Sequence, residues 1–336
     1  MAGISVTDVY DSLLTSTLRN YRNKLVNNIF EKLRTLAWLM RKRGNGKEIG
    51  TFDLQDGGYE IVEQLMYGKN TTFKFYSGYE TLETTPQEGQ TIAKYPWCEL
   101  GGTISISRKE KRQNSGKHQL LNLWKGKVKQ AELSARDKFS ENLFANISAE
   151  PAKDINSLLL IASNSPSTTT VGSVSGATYS WWRNYQVDVG AYAANLEDKM
   201  RTGFNTVGKW GEVDGIVATQ NAYEYYESLG VTLKRFVVTR NEKATLDLGF
   251  EVLQYKGADI WFDYDFAEDT PVTGAAMILL NSEHIRLVMD KETNFITTDT
   301  IEPENQTAYV AKILAMANVV IDNRAAFGLL HGIDAS

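Results

Sequence analysis

Cysteine is nearly absent from this chain of 336 residues, and histidine is scarce. Cys98 is the single cysteine. It excludes an intrachain disulfide and a cysteine-built metal site, and it suits a chain that folds in a reducing compartment. His118, His284 and His331 stand far apart. None has a His, Cys or carboxylate at metal-ligand spacing, so each reads as a surface or interface residue. Long apolar runs are missing too. The most apolar late stretch, 308–321, carries Lys312 and falls short of the ~20 residues that a spanning helix needs, so no membrane contact is expected. The opening MAGISVTDVYDS has no basic segment leading into an apolar one, so no signal peptide is expected.

Catalytic signatures are absent as well. There is no GxGxxG, no Walker-type phosphate loop, no GxSxG and no HExxH. GNGK at 44–47 follows a helical pattern, not a strand. Cys98 has no Cys–His signature around it and reads as a buried or half-buried thiol, not a nucleophile. One carboxylate cluster stands out: Asp259, Asp263, Asp265, Glu268 and Asp269. Asp263 and Asp265 would share a strand face. Oxygen ligands suit a divalent cation, but the full EF-hand ligand pattern is missing, so a solvated strand end is the plainer reading. The aromatic pairs Trp181–Trp182 and Tyr225–Tyr226 could stack on sugars or bases; core or interface packing is the commoner use. The expectation is a protein that is not an enzyme and that carries no cofactor and no metal.

What is present is an ordinary globular composition, with 42% hydrophobic and 23% charged residues. The length suits two lobes plus arms. Charge is strongly segregated along the chain. Residues 1–47 carry +6, 48–103 carry −6, 104–138 carry +7 and 139–336 carry −12. Two basic stretches on an acidic protein imply surfaces with different neighbours, or helix faces that pair with the acidic ones.

The pattern along the chain predicts helix over 6–43, with Asp8 and Asp11 early and Arg41, Lys42 and Arg43 late, as the helix dipole favours. Tyr10, Leu14, Leu18, Tyr21, Leu25 and Ile29 form one narrow apolar stripe, and Gly44 and Gly46 stop the helix. Residues 68–107 turn β-rich, with period two at Phe73, Phe75 and at Ile104, Ile106. Between them ETTPQEGQ, 83–90, is a polar turn. A long hairpin with an acidic tip is expected, too thin to stand alone in water. A long helix over 118–147 follows, striped by Leu121, Trp124, Val128, Ala131, Ala135, Phe139 and Leu143, with a short helix at 153–162. The Ser-, Thr- and Gly-rich stretch 163–180 reads as a surface loop or linker. A helix at 190–206 precedes alternating strands and helices from 213 onward, including a strand, turn and strand over 250–263 and a long strand or strand pair over 308–322. This is an α+β pattern.

Three stretches carry a resemblance. ANVVIDNRAAFGLLHGI (317–333) is similar to a closing segment in which a strand leads into an Asn-Arg pair and a Gly-Leu-rich end. FEVLQYKGADIWFDYDF (250–266) resembles the strand–turn–strand before it, and TISISRKEKRQNSGKHQLLNLWKGKV a hairpin return into a spine helix. With the order of elements, they make the chain resemble the tailed-phage major capsid proteins of the Hong Kong 97-type fold. The resemblance implies an N-terminal arm at 1–50, an extended β-hairpin loop at 68–103, and a peripheral domain of 51–67, 104–205 and 285–336 with its spine helix at 118–147. It implies an axial domain at 206–284. It further implies self-assembly as pentamers and hexamers into an icosahedral head around double-stranded DNA, in a virion assembled in bacterial cytoplasm. Partners would be portal and decoration proteins and, since no long leader precedes the arm, a separate scaffolding protein. Arg19, Arg22, Lys125 and Lys129 would face the lumen and its DNA, or pair between subunits. Thr85, Pro86, Glu88 and Gly89 would form the intersubunit tip of the hairpin. An encapsulin-type compartment shell is the alternative on the same fold. A soluble α+β enzyme or carbohydrate-binding module using the 259–269 carboxylates is the alternative from another class.

Overall fold

The computed structural model describes residues 33–40, 52–113, 123–145, 149–151, 153–233, 253–268, 274–304 and 306–335. The expected helix over 6–43 lies outside them except for α1, Arg34–Leu39. Arg19, Arg22, His118 and Asp269 also lie outside. After α1 come β1 (Phe52–Gln55), β2 (Ile61–Met66), β3 (Gln90–Tyr95), β4 (Cys98–Ser107) and α2 (Arg108–Gln113). The spine helix α3 is Leu123–Leu143, and α4 is Leu158–Ile161. A two-stranded hairpin of β5 (Thr170–Val171) and β6 (Val174–Ser175) leads to β7 (Tyr185–Ala191) and α5 (Tyr192–Val207). Then follow β8 (Gly215–Ala218), α6 (Gln220–Leu233), β9 (Leu253–Tyr255), β10 (Ala258–Phe262), β11 (Ala275–Leu280), β12 (Ile285–Asp290), β13 (Ile296–Thr297), β14 (Ala308–Ile321) and β15 (Gly328–Asp334).

Local chemistry explains several of these boundaries. The serine and glutamate of SRKE start α2 as a capping box: Ser107 N donates to Glu110 at 3.0 Å and Glu110 N to Ser107 Oγ at 3.1 Å. The β9–β10 turn is Lys256–Gly257, both at positive φ (49° and 93°), the geometry that closes a two-residue hairpin. In α5 the buried Leu196, Met200, Gly203 and Val207 recur every three or four residues and form its core face.

Among the described residues two large sheets hold eleven of the fifteen strands, and β2–β3 and β5–β6 form two-stranded ladders of their own. The first has the order β1-β12-β14-β13, with β4 also paired along β14. The second is mixed, in the order β7-β15-β11-β8-β10-β9. Alternation along its strands feeds two separate cores. Ile216, Ile260, Met277, Leu279 and Leu330 point to one side, under α5 and α6. Val217, Trp261, Ile278, Leu280 and Leu329 point to the other. That second core is shared with Leu287, Val319 and Ile321 of the first sheet, Phe139 and Leu143 of α3, and all of α4. A sheet covered on both faces has no solvent side, so β11 (AAMILL) is buried at every residue. β14 shows both regimes. It alternates in and out from Ala311 to Ala317, then is buried continuously to Ile321.

Three expectations change. The long hairpin does not pair as expected. β3 returns on β2, from Ile61↔Tyr95 to Met66↔Gln90, while Ile104 and Ile106 pair with Ala311 and Tyr309 of β14. Phe73 and Phe75 stand in an irregular loop, so their period-two spacing is not that of a ladder. The stretch 163–180 is packed, not a linker: Val171 and Val174 are buried, and the Trp182 indole donates to the Val171 carbonyl at 2.9 Å. Of the two readings of 308–322, the single strand is the one formed, over 308–321. The second sheet takes β7 and β15 from stretches expected in the peripheral domain, so the lobe built on it draws on both sides of 206–284.

The chain crosses between the sheets at 322–327, and there it buries Arg324 completely. Its partners are backbone carbonyls. Nε donates to the Ile161 carbonyl at 2.8 Å, Nη2 to Leu160 at 3.0 Å and Nη1 to Thr169 at 3.3 Å. Leu160 and Ile161 end α4, whose start is capped by the Ser157 side chain. The guanidinium therefore serves as the C-terminal cap and the cation at the negative end of that helix. Burial pulls Arg324 down to about 10, still charged at neutral pH. A lysine has one compact ammonium and cannot span these three acceptors. Arg324→Lys should lower stability by about 2–4 kcal/mol through unpaired buried carbonyls, read as a lower denaturant midpoint with an unchanged slope. A midpoint equal to that of the parent would show that water replaces the cap.

Candidate functional site

The groups that carry chemistry are dispersed among structural duties. Cys98 is buried, its thiol donates to the Asp154 carbonyl at 3.0 Å, and burial with the nearby Asp154 charge pushes it up to about 11. The expected carboxylate cluster does not converge. Asp259 accepts from Gln254 at 2.8 Å, and Glu268 from Asn221 at 2.7 Å. Asp263 lies just past β10, buried, and accepts from the Thr35 backbone at 3.2 Å. It therefore holds α1 down, assisted by the Trp261 indole on Thr35 Oγ1 at 3.0 Å. Among the described residues no group of three or more His, Cys, Asp or Glu could hold a metal ion, and no helix is long and apolar enough to cross a membrane. His331 on β15 contacts Gln186 at 2.9 Å, and burial lowers its pKa. The aromatic pairs are packing: Trp182 is fully buried, Tyr225 stacks on Tyr192 at 4.5 Å, and Tyr226 meets Tyr255 edge-on.

The conspicuous surface is the loop between β2 and β3, residues 67–89. Its foot is closed by Tyr67 N and Gly68 N, which both donate to the Gly89 carbonyl at 2.9 and 3.3 Å. Gly68 and Gly89 must be bare, because a Cβ on Gly68 would stand 2.9 Å from the Gly89 Cα. Thr71 meets Gln87 at 2.9 Å higher up, and Glu80 N donates to Ser77 O at 2.8 Å, which places the tip at 77–80. The residues expected at the tip therefore lie elsewhere. Thr85, Pro86 and Glu88 are exposed on the returning limb, and Gly89 is at the foot. Phe73 is 85% exposed, while Phe75 and Tyr79 are as exposed as free side chains, at 106% and 105%. Exposed apolar surface of this kind is a candidate contact surface.

The loop's foot is firmly mounted. Tyr67 stacks on Trp181 at 5.5 Å, and Trp181 meets the buried Trp182 edge-on. Lys94 N donates to the Gly172 carbonyl at 3.0 Å. Gly172 has φ +64°, and a Cβ there would come within 2.8 Å of Ala93 and Tyr95. The Glu150 carboxylate accepts from the backbone of Gly172 and Ser173; burial raises its pKa against these two donors. Below, Arg286 of β12 pairs with the inward-facing Glu63 of β2 and lies 3.8 Å from Asp53.

The second surface is basic. On α3, Lys125 and Lys129 are exposed one turn apart. Lys127 between them is engaged, at 3.1 Å from the Ser105 carbonyl and 3.3 Å from Glu110. Lys111 of α2 lies 4.0 Å over the Tyr309 ring. Between α3 and the first sheet runs an open cleft of about 560 Å³, floored by Leu100, Ile104, Ala131, Ala135, Phe295 and Ile313.

No family model matches the chain, and no curated protein matches it. Solved structures do. A cyanophage A-1(L) capsid subunit aligns with a TM-score of 0.64 over 95% of this chain and 97% of its own, at 14% identity. The capsid of an empty GTA particle aligns at 0.60 over 99% of both chains, at 11% identity. An encapsulin complex from Synechococcus elongatus PCC 7942 aligns at 0.57 over 97% of this chain and 96% of its own, at 8% identity. End-to-end coverage at such identities makes the fold the Hong Kong 97-type coat-protein fold, an α+β architecture.

The thiol gives a direct check on this packing. At pH 8 a pKa of about 11 leaves roughly a thousandth of Cys98 as thiolate. Alkylation of the native protein should run about a hundredfold or more slower than in denaturant. Equal rates would place Cys98 at the surface.

Proposed function

We propose that this chain is the major capsid protein of a tailed bacteriophage, assembling as pentamers and hexamers into the icosahedral head that encloses double-stranded DNA. The observation that carries the reading is the pairing of an end-to-end match to capsid subunits with a mounted loop whose aromatic row stays uncovered by the described residues of its own subunit. The lobe on the first sheet, with spine helix α3, takes the peripheral role, and the lobe on the second sheet the axial role. Residues 1–50 serve as the arm. The location is the virion, after assembly in the bacterial cytoplasm. Scaffolding, portal and decoration proteins are the further partners, and no catalytic role is assigned.

The physics of assembly follows from the loop. An aromatic side chain buries ~150–250 Å² when it docks, at roughly 25 cal/mol per Å². Phe73, Phe75 and Tyr79 then each contribute about 4–6 kcal/mol of apolar burial to a neighbour's docking, before the costs of association and ordering. The intersubunit contact includes the returning limb, with Thr85, Pro86, Glu88 and Gly89. On the basic side, Arg19, Arg22, Lys125 and Lys129 meet phosphates, which requires charge and no sequence code. The encapsulin match supports a second reading on the same fold, a shell around cargo enzymes.

Electron microscopy of the purified protein, with and without a candidate scaffold, tests the reading. Closed shells or free capsomers are expected. A monomer under every condition would overturn it, and shells that retain cargo protein and no DNA would favour the compartment. Replacing 70–87 by a short Gly-Ser link keeps the β2–β3 ladder. It should leave subunit melting unchanged and abolish closed shells. Changing Arg19, Arg22, Lys125 and Lys129 to Gln should make DNA retention weaker and its salt dependence shallower, by up to about 0.9 in log–log slope for each phosphate that the variant no longer neutralises. Weaker shells with DNA retention unchanged would instead place these residues between subunits.

A further inference from the structure

The chain passes from the second sheet to the first through the β11–β12 turn, and back through the segment after β14. His284 joins the two crossings. Its backbone carbonyl accepts from Asp322 N at 3.3 Å. Its ring lies half-buried, with Nδ1 2.7 Å from Asp322 Oδ1 and Nε2 2.6 Å from the Trp210 carbonyl. Trp210 belongs to the α5–β8 connection, so three segments converge on one imidazole.

A carbonyl oxygen only accepts, and so does an ionised carboxylate. A neutral imidazole has a single N–H and can satisfy one of them. The other nitrogen would then present a lone pair to an oxygen lone pair at under 3 Å. Imidazolium satisfies both at once. We propose that His284 is a protonated clamp across the junction of the two sheets, and that losing its proton loosens the junction. The clamp is a property of the subunit and does not depend on assembly.

The surrounding charges agree with the geometry. Burial opposes the charged ring, but the hydrogen bonds to Asp322 and the Trp210 carbonyl, with the fields of Asp322 and Glu283, outweigh it and raise the pKa above the ordinary imidazole value. From β12, Arg286 is turned away to Glu63 and Asp53. On the α5–β8 connection, which also carries Lys209 and Glu212, Asp214 accepts from Ser282 N at 3.1 Å. A raised folded-state pKa fixes the sign. The clamp's contribution is full below the unfolded value of about 6.5 and is lost as pH rises through the folded-state value.

Two variants separate this from a merely structural histidine. His284→Gln removes the ring. Asp322→Asn supplies an amide N–H to Nδ1, so a neutral ring can accept from Asn and donate to Trp210; it keeps the clamp and removes its need for a proton. Hydrogen–deuterium exchange of the full chain, corrected for intrinsic rates, is read at about pH 6 and about pH 9 over 209–214 and 320–325, with the peptide over β11 as the folding control. The parent should be protected at the lower pH. It should lose protection at the higher pH, roughly tenfold for each unit by which the two pKa values differ. His284→Gln should exchange fast at both, and Asp322→Asn should be independent of pH. The clamp is refuted if parent and Asp322→Asn share one pH dependence, or if His284→Gln is as protected as the parent at the lower pH.

Discussion

A buried cation met by carbonyls in place of a carboxylate holds this subunit to one arrangement. Arg324 sits where the chain leaves the first sheet for the second, and its three acceptors are backbone carbonyls at the end of α4 and in the stretch that follows it. Stripping a guanidinium of water costs several kcal/mol unless its donors are met. The donors are met only when α4 ends at Ile161 and the 163–180 stretch folds back to Thr169. The Tyr95 hydroxyl donates to the Ile321 carbonyl at 2.8 Å beside this point, which ties the foot of the extended loop to the same crossing. The tertiary arrangement is thus specified by hydrogen bonds with no slack, set in an apolar core that would by itself tolerate sliding.

That constraint sits in an apolar core to which both sheets contribute. Phe144 after α3 stacks on Phe266 beyond β10 at 5.2 Å, and Trp38 of α1 lies 5.9 Å from Trp261. Gly215 leaves room for both indoles; a Cβ there would meet the Trp261 ring at 2.7 Å. The spine helix is anchored unevenly. Phe139, Ser140 and Leu143 near its end are buried, while Lys125 and Lys129 stand exposed toward its start.

Much of this is legible in residue patterns. The spine helix, the α5 stripe, the Lys256–Gly257 hairpin and the late strands follow from period and turn chemistry, which act locally. The α+β class and the coat-protein fold follow from the order of elements. What does not show is pairing at long range. Phe73 and Phe75 alternate like a strand, yet they stand outside every ladder among the described residues; the same residue types suit a surface made for contact. Ile104 and Ile106 look like the return of that hairpin because their true partner, β14, lies about two hundred residues later. The Ser-Thr-Gly stretch reads as a loop or linker by composition, and its packing shows only in space, in the burial of Val171 and Val174 and the closeness of Gly172 to Tyr95 and Ala93. Arg324 stands out in the sequence only as half of an Asn-Arg pair, and burial cannot be read from a lone arginine. The His284 clamp needs three segments brought together in space.

The order of strands also bears on how the subunit is made. β1, β4 and β7 each find their partner in β12, β14 or β15, all encoded after residue 284. A nascent chain therefore emerges with three unpaired edges and no finished core until synthesis is nearly over. Non-local pairing of this kind folds slowly. The loop over 67–89 leaves the ribosome early, but its mounting on Tyr95 and Trp181 is complete only when Ile321 arrives. Truncated products lack the strands that fix this mounting, so only chains made nearly to their end carry a properly set loop.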